Sequence, residues 1–448
     1  MNKQQDTNDI QQPTVALLLC GNPFEDFFDT IGVSFEDFRT KFRGSYQFGY
    51  VDALRLAGVR TVLFYISARV SKPLRFKHEP SGAEVCILPA PSMHRAFRQL
   101  CRLPLFSKRQ MAKSLDSYLL LPLRVLTREL RREGCSAVLF QDYENPSFDV
   151  CVLLGKIIHL PVFATFQGAT GPRSRLERPI RPLALQGCAG LIIASQLEMQ
   201  RVKTQYKVSP TKLARIFNPV DVVSWRAIDR DVARAKLRIP INARVVVFHG
   251  RISISHKGLD VLLEAWVKIC EERPEKDLRL LLIGTGSDAE ELQQRITAMQ
   301  SRGVMWINQF INDPSLIQEY LSSADVYTLP SRDEGFPVAP IEAMACGLPV
   351  VATDVPGTRE ILEFGEESGG LIVPREDPLA LATALGQFID DEAWANELGR
   401  RARIRSEECF SLEVIGRQLS DVLLIKEALG CKNEEQDKAT MCTKHLST

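Results

Sequence analysis

The stretch from Val326 to Pro349 constrains the fold of this chain more than any other part of the sequence. It begins with an apolar run, V-Y-T-L-P, which predicts a buried strand. It ends with A-M-A-C-G-L-P, which predicts a short helix that stops at Gly347. Glu334 lies on the loop after the strand, and Glu342 lies within the helix. Because open α/β sheets bind ligands beyond the carboxyl ends of their strands, this stretch predicts a ligand site.

The loop between this strand and helix carries groups that suit a phosphate. Gly335, just before Phe336, allows a backbone N–H to approach a ligand closely. Pro337 suits the first position of a helix, which leaves the N–H groups near Val338 without helical partners. Such a helix start favours an anion. Carboxylates for hydroxyls and a helix start for phosphate together predict a nucleotide sugar, whereas the alternative is an exposed acidic loop before an ordinary helix.

The run E-G-F-P-V-A-P-I-E-A-M-A-C-G-L-P-V-V-A-T-D-V-P-G closely resembles the E-x7-E signature of retaining glycosyltransferases of the GT4 type. The resemblance implies an α/β GT-B fold, in which two doubly wound, Rossmann-like domains face each other across a cleft. It also implies that the N-terminal domain binds the acceptor and the C-terminal domain the nucleotide sugar. In that family Glu342 would bind the ribose hydroxyls. Glu334 would hold the hexose, together with backbone N–H groups from Gly335 to Pro337.

Length, composition and charge place the chain among ordinary globular proteins. Its 448 residues suffice for about two to three domains. The formal net charge of +1 gives no overall field that would attract nucleic acid. The 11 cysteines are scattered and form no C-x-x-C pair, which predicts reduced thiols in a cytosol and no zinc site.

Neither a secretory signal nor a membrane-spanning helix is predicted. Residues 1–13 are polar and lack the apolar core of a signal peptide. No apolar run approaches the ~18 residues that span a bilayer. We therefore expect a cytoplasmic protein with disordered tails at 1–13 and 431–448.

The sequence N-P-V-D at residues 218–221 divides the chain in two. It resembles the linker between the two halves of the family, and Pro219 makes the crossover rigid. We expect an acceptor-binding domain at 14–220 and a nucleotide-sugar-binding domain at 221–408. By the same resemblance, a last helix at 409–430 would pack back on the first domain.

Two cations follow the first strand predicted for the second domain. Arg251 and Lys257 lie on a loop that is bounded by Gly250 and Gly258 and that leads into a helix. Cations on a glycine-bounded loop beside a helix start predict a diphosphate site. In the family the matching Arg and Lys neutralise the leaving nucleoside diphosphate, so neither a metal nor a cofactor is expected. The alternative is a solvated basic loop.

Other donor-site positions rest on the resemblance alone. Gly284 and Gly286 match a position that lines the nucleotide pocket. The family contacts the base through backbone groups near Phe310 and Ile311. Its glycine loop after the first strand, here at Gly21, lies near the donor phosphates.

Four polar residues at predicted strand ends are candidates for binding the acceptor. Gln141, Asp142 and Glu144 follow one strand, and Gln167 follows the next. The alternative for the first three is an ordinary solvated loop. In many family members a histidine that faces the sugar occupies the position of Gln167. Glutamine can hydrogen-bond a hydroxyl but cannot take up a proton, which puts any acid/base role there in doubt.

Two segments of the N-terminal half have open roles. F-E-D-F-F at 24–28 and F-E-D-F at 35–38 predict either a helical lid with its phenylalanines packed down or a flap over the acceptor. The window 95–113 holds six cations and no acid among apolar residues. It predicts contact with an anionic membrane surface or an anionic acceptor. The alternative is a helix with its apolar side in the core.

Together these patterns predict a retaining glycosyltransferase. It would move a hexose from a nucleotide-diphosphate sugar to a hydroxyl acceptor on a polysaccharide, a glycolipid or a small glycoside. One alternative is a non-catalytic scaffold of the same fold that binds nucleotide sugar without transfer. Others are a nucleotide-sugar epimerase and a glycoside phosphorylase, although the sequence contains no further phosphate or pyridoxal site that a phosphorylase would require.

Overall fold

The computed structural model describes residues 12–19, 22–43, 46–101, 110–168, 174–300 and 302–424. Apart from Gln12 and Pro13, the tails predicted at 1–13 and 431–448 lie outside these residues.

The first sheet is built from strands in the N-terminal half. In chain order they are β1 (Thr14–Leu18), β2 (Arg60–Ser67), β3 (Leu74–Lys77), β4 (Glu84–Pro89), β5 (Cys135–Phe140), β6 (Val162–Thr165), β7 (Gly190–Ile192) and β8 (Leu213–Ala214). Their spatial order is β3-β4-β2-β1-β5-β6-β7-β8, and among these pairs only β3 with β4 is antiparallel. Strand β1 is buried along its whole length, as expected when helices cover both faces of a parallel sheet.

The second sheet follows the same plan with parallel strands throughout its described pairs. Its strands are β9 (Arg244–His249), β10 (Leu278–Ile283), β11 (Val304–Ile307), β12 (Val326–Leu329), β13 (Val350–Thr353) and β14 (Gly370–Val373). Their order is β11-β10-β9-β12-β13-β14. The order reverses between β9 and β12, and a ligand crevice is expected beyond the carboxyl ends of those two strands.

Helices cover both faces of each sheet. Those of the N-terminal half are α1 (Phe24–Phe28), α2 (Phe35–Thr40), α3 (Tyr46–Leu56), α4 (Ser92–Cys101), α5 (Gln110–Tyr118), α6 (Leu123–Arg132), α7 (Pro146–Ile158), α8 (Glu177–Gly187) and α9 (Gln196–Tyr206). Those of the C-terminal half are α10 (Arg230–Leu237), α11 (Ile254–Lys257), α12 (Leu259–Glu272), α13 (Ala289–Ala298), α14 (Pro314–Ser322), α15 (Ala339–Ala345), α16 (Thr358–Ile361), α17 (Pro378–Asp390) and α18 (Glu392–Phe410).

The end of the chain returns to the first domain. Helix α18 ends at Phe410, and Ser411 then pairs with Val220 in a single parallel bridge. Residues 412–424 are helical, and Ile415 and Leu419 are fully buried in the apolar cluster under the first sheet. The continuous helix expected from 409 is therefore interrupted at Ser411, where the chain pairs with the interdomain crossover.

Most phenylalanines of the segment 24–42 pack inwards, as in the helical-lid alternative, whereas Phe27 and Phe35 are exposed. Phe24, Phe28, Phe38 and Phe42 are each at most 8% exposed. The rings of Phe28 and Phe38 meet edge to face at 4.7 Å between centroids, a geometry that aromatic pairs favour. This cluster fixes the long connection after β1 against the first sheet.

Candidate functional site

Three loops meet at the carboxyl edge of the second sheet. They follow β9, β10 and β12, and glycines bring the first two together. A Cβ added at Gly284 would lie 2.0 Å from the carbonyl oxygen of Gly250, and one at Gly286 would lie 2.0 Å from that of Ile252. Real Cβ contacts are never this short, so glycine is required at both positions. The predicted donor residues Gly250, Gly284 and Gly286 are therefore brought together at this edge.

Lys257 and Glu334 form the polar centre of this edge. The Lys257 Nζ lies 2.5 Å from Glu334 Oε1, and the Ser331 hydroxyl donates to the same oxygen at 2.6 Å. Both side chains of the ion pair are at least four-fifths buried. Two loops that are far apart in sequence thus place a cation and a carboxylate in direct contact.

Glu342 has a different partner on β9. Its Oε2 lies 2.8 Å from Nε2 of His249, the last residue of that strand. The Tyr327 hydroxyl donates to the His249 carbonyl oxygen at 3.3 Å. Burial raises the pKa of Tyr327 well above its usual value, and the nearby charges of Glu342 and Glu334 raise it further. Both predicted carboxylates therefore lie near one buried tyrosine.

Arg251 lies exposed on the loop after β9. Its charge, with that of His256, contributes to a lowered pKa for Asp288. The larger causes of that shift are hydrogen bonds from Ser287 and from the backbone N–H of Ile254. The exposed guanidinium is free to turn towards a ligand at the strand edge.

Arg332, on the loop after β12, contacts helices α11 and α12 and the connection after β14, and no sequence pattern predicted these contacts. Its Nη1 donates to the Ile254 carbonyl oxygen at 2.9 Å, and its two Nη atoms pair with both oxygens of Asp260 at 2.8 and 2.9 Å. Its Nε and Nη2 pair with the two oxygens of Glu376 at 2.5 and 2.8 Å. Hydrogen bonds to Asp260 and Glu376 raise the pKa of Arg332. Arg332 thereby fixes the cationic loop relative to the Glu334 loop.

Changing Arg332 to glutamine is expected to weaken donor binding by about tenfold, because the loop that carries Lys257 would lose its anchor. The effect should fall on KM for the donor and on the affinity for nucleoside diphosphate, with kcat changed less. Isothermal titration with UDP, GDP and ADP measures it. Arg332→Lys should recover part of the loss, and Arg279→Gln on β10 is the matched surface control. An affinity unchanged in Arg332→Gln would refute this positioning role.

The helix after the Glu334 loop begins later than Pro337 would suggest. Helix α15 starts at Ala339, with Val338 as the N-cap residue and Pro340 in the first turn. Pro337 therefore belongs to the loop, because Pro340 takes the helical position that suits proline. The N–H groups of Val338 and Ala339 precede the first helical hydrogen bonds and have no partner inside the helix.

The Glu334 loop touches the first domain directly. A Cβ on Gly335 would lie 2.5 Å from the Gln167 carbonyl oxygen, and one on Gly168 would lie 2.6 Å from the Gly335 backbone. Asn218 Nδ2 donates to the Phe336 carbonyl oxygen at 3.1 Å and to Gln167 Oε1 at 3.3 Å. The crossover and the end of β6 therefore meet the predicted donor residues Gly335 and Phe336.

The acceptor candidates have different surroundings. Gln167 takes part in the contact just described, and its Nε2 also donates to Thr165 at 3.1 Å. Gln141 and Asp142 are half-buried after β5. Glu144 pairs instead with Arg201, which also binds Glu198. Glu144 thus joins the loop after β5 to an ion cluster on helix α9, whereas the other three candidates remain near the strand edge.

The predicted base contacts lie at a second junction of the domains. The rings of Phe310 and Phe42 are nearly parallel, with 6.1 Å between centroids. Asn312 Oδ1 accepts from the Arg43 N–H at 2.8 Å, and its Nδ2 donates to the Lys41 carbonyl oxygen at 2.6 Å. The half-buried Ile311 lies between these contacts in the chain, so the segment after β11 meets the end of the aromatic segment.

Two predictions fall partly outside the described residues. Gly21 is not among them, and neither are 102–109 within the basic window 95–113. Among the described ranges, no helix is long and apolar enough to cross a membrane. The same part of the chain contains no group of three or more His, Cys, Asp or Glu residues that could hold a metal ion.

Part of the chain is similar to a known family and to curated proteins. Residues 243–391 match the family described as glycosyl transferases group 1. The D-inositol 3-phosphate glycosyltransferase of Streptomyces avermitilis is 32% identical over 243 residues, which is 52% of this chain and 51% of that protein. The enzyme of the same name from Nocardioides sp. is 30% identical over 246 residues, 52% of each chain. The chain thus matches about half the length of these relatives.

Solved structures match nearly the whole chain. Sucrose-phosphate synthase from Thermosynechococcus elongatus has a TM-score of 0.67 at 21% identity, covering 94% of this chain and 100% of that one. HepE from Anabaena, solved in complex with UDP, has a TM-score of 0.67 at 18% identity, covering 92% and 99%. At such identities the likeness shows the fold alone. Residues 243–391 are therefore similar to the glycosyl transferases group 1 family, and the described part of the chain has the predicted GT-B fold.

Proposed function

We propose that the protein is a retaining glycosyltransferase that moves a hexose from a nucleotide-diphosphate sugar to a hydroxyl acceptor. The observation that carries this proposal is the Lys257–Glu334 pair at the switch point of the second sheet. Arg251 lies on the same connection after β9 as Lys257, and Glu342 lies on the helix after the Glu334 loop. Cations for a diphosphate and carboxylates for hydroxyls lie at one strand edge. The group 1 family match covers these residues and supports the same activity.

In this proposal Arg251 and Lys257 bind the diphosphate and stabilise the charge that develops as it leaves. Glu342 accepts hydrogen bonds from the ribose hydroxyls, while His249 holds its second oxygen. Glu334 accepts hydrogen bonds from the hexose hydroxyls. A bound diphosphate would compete with Glu334 for Lys257, so that pair is expected to loosen when donor binds.

The transfer step needs no protein base. The bond between the anomeric carbon and the diphosphate oxygen breaks, and the acceptor oxygen bonds to that carbon from the same face. The acceptor proton passes to an oxygen of the departing β-phosphate. Gln167 cannot take up a proton, and this scheme asks it for none. Two protein cations take the charge-neutralising role, so the proposal includes independence of metal ions and of cofactors.

The second candidate is a scaffold that binds nucleotide sugar without transfer. One observation favours it: Gln167 stands in place of a histidine and contacts Asn218 and Thr165. Donor hydrolysis in the absence of acceptor separates the two candidates. A transferase releases nucleoside diphosphate slowly to water, whereas a scaffold releases none.

Thermal shift with UDP, GDP, ADP and their common sugars is the first test. A ligand that binds only the folded state stabilises it by about 2.7 kcal/mol at 100 times its dissociation constant. We expect a shift with one base, followed by donor hydrolysis that a chelator leaves unchanged. NMR of the anomeric proton then reports retention. No shift with any nucleotide and no hydrolysis would refute the proposed function.

We further propose a cytoplasmic location, with peripheral contact between the window 95–113 and anionic membrane. The support is the charge asymmetry of that window, since basic and apolar residues together suit an anionic surface. Flotation with anionic vesicles at low salt tests this contact. Protein that stays at the bottom of the gradient would exclude it.

A further inference from the structure

A cavity of about 350 Å³ lies in the first domain and shares no residue with the donor site. It opens at the carboxyl end of β2, where Ala68 and Arg69 follow the strand. One wall comes from the start of the segment 24–42, and the other from helix α4. Its volume is near the lower limit of ordinary ligand pockets, which hold roughly 300–1,000 Å³.

The acidic segment 24–28 and the basic window 95–113, neither of which belongs to the donor site, both line this cavity. The acidic F-E-D-F-F segment supplies Glu25 and Asp26, and the basic window supplies Arg95 and Arg98. Glu25 lies on the buried side of α1 together with Phe24 and Phe28, and both Glu25 and Asp26 line the cavity.

Ion pairs hold the two walls in place. Arg98 Nη2 pairs with Asp26, and Arg69 Nη1 donates to Asp29 Oδ1 at 3.0 Å. Glu25 Oε1 accepts from the Ala68 N–H at 2.9 Å. The lining contains three carboxylates and three guanidinium groups, so its formal charge is zero. A lining with no net charge gives a phosphate no net electrostatic attraction.

One carboxylate oxygen of Glu25 has no hydrogen-bond partner in the described part of the chain. The residue is 8% exposed, and its buried Oε2 has no hydrogen-bond partner among the described residues. Arg98 Nη1 is also buried and also has no hydrogen-bond partner among the described residues. An unpaired buried carboxylate oxygen is costly, and so is an unpaired guanidinium N–H. Hydroxyl groups satisfy both, because a hydroxyl donates to one and accepts from the other.

We propose that this cavity is a binding site for the acceptor, and that the acceptor it takes is a hydroxyl-rich, uncharged saccharide or polyol. The inference rests on the proposed function, since it assigns the acceptor to the domain opposite the donor site. Glu25 Oε2 accepts a hydrogen bond from one acceptor hydroxyl. Arg98 Nη1 and the exposed Arg95 donate to others.

The test is a glycan array that carries neutral, phosphorylated and sulfated saccharides, probed with the labelled full chain and with Glu25→Gln. In Glu25→Gln the side-chain oxygen can still accept from Ala68, but an amide donor replaces the free acceptor atom. We expect wild type to bind neutral glycans and Glu25→Gln to bind them at least about tenfold more weakly. Glu36→Gln, on the exposed face of α2, is the matched control and should bind as wild type does.

The outcomes separate this inference from the proposed function. Both variants should keep the thermal shift with nucleotide and the donor hydrolysis of wild type, which shows that the fold and donor site are intact. Binding to phosphorylated or sulfated glycans alone would overturn the ligand class. Equal binding by Glu25→Gln would overturn the location, and binding to no glycan would overturn the inference while donor hydrolysis persisted. Loss of hydrolysis in wild type would instead count against the proposed function.

Discussion

Replacing Glu342 with alanine is expected to abolish transfer, with kcat/KM lowered roughly 100- to 10,000-fold. The carboxylate is assigned two hydrogen bonds to ribose hydroxyls, and bonds to a charged group contribute about 1.5–3 kcal/mol each. The fold should persist, because Glu342 is 21% exposed and its one protein contact noted above is His249. Steady-state release of nucleoside diphosphate measures the activity, and thermal melting without ligand reports the fold.

Two further variants make this result specific. Glu264→Ala removes an exposed glutamate from helix α12 of the same domain and should leave turnover unchanged. His249→Gln keeps a hydrogen-bond donor near Glu342 and should mainly raise KM for the donor. Unchanged turnover in Glu342→Ala would refute the assignment of this residue. A melting temperature that falls as much as activity does would show a structural role instead.

The strands of both sheets could be predicted because buried parallel strands have a recognisable apolar sequence pattern. Parallel strands covered on both faces read as continuous apolar runs, as in Val326–Leu329 and Arg244–His249. Gly284 and Gly286 were predicted from the family resemblance alone, and the structure supplies the physical reason, because only glycine permits the close backbone approach seen there.

The parts that could not be predicted depend on contacts between distant residues. Arg332 resembles any loop arginine in the sequence, yet it joins Asp260 on α12 to Glu376 after β14. The contact of His249 with Glu342 spans 93 residues. No local pattern marks either contact, because both arise only when parallel strands bring their carboxyl ends together.

The predicted start of helix α15 was wrong because two prolines near it could each occupy the first turn. Pro337 and Pro340 both suit a helix start, and the structure uses Pro340. The stretch 110–132 likewise forms two helices, α5 and α6, with Pro122 at the N-cap of the second because proline does not continue a helix from its N-terminal side. Local preference gives such positions equal weight, so tertiary packing decides between them.

Replacing Asp325 with alanine is expected to destabilise the second domain by about 3–5 kcal/mol, the usual cost of breaking a buried ion pair. Asp325 Oδ2 accepts from Arg234 Nη2 at 2.9 Å and from the Val245 N–H at 2.7 Å. Its Oδ1 accepts from Arg230 Nη1 at 3.0 Å. The Arg234 side chain is 2% exposed, so the variant would leave a guanidinium buried without its carboxylate.

Thermal melting measures this loss, which for a domain of this size corresponds to a fall of roughly 6–20 °C. Asp277→Ala removes a carboxylate from a surface pair with Arg279 and should cost less than about 1 kcal/mol. The double variant Asp325→Leu with Arg234→Met should recover much of the stability, because it removes both charges and keeps the volume apolar. If Asp325→Ala melts like Asp277→Ala, the buried pair does not stabilise the domain, and the position of α10 against β9 must depend on apolar packing alone.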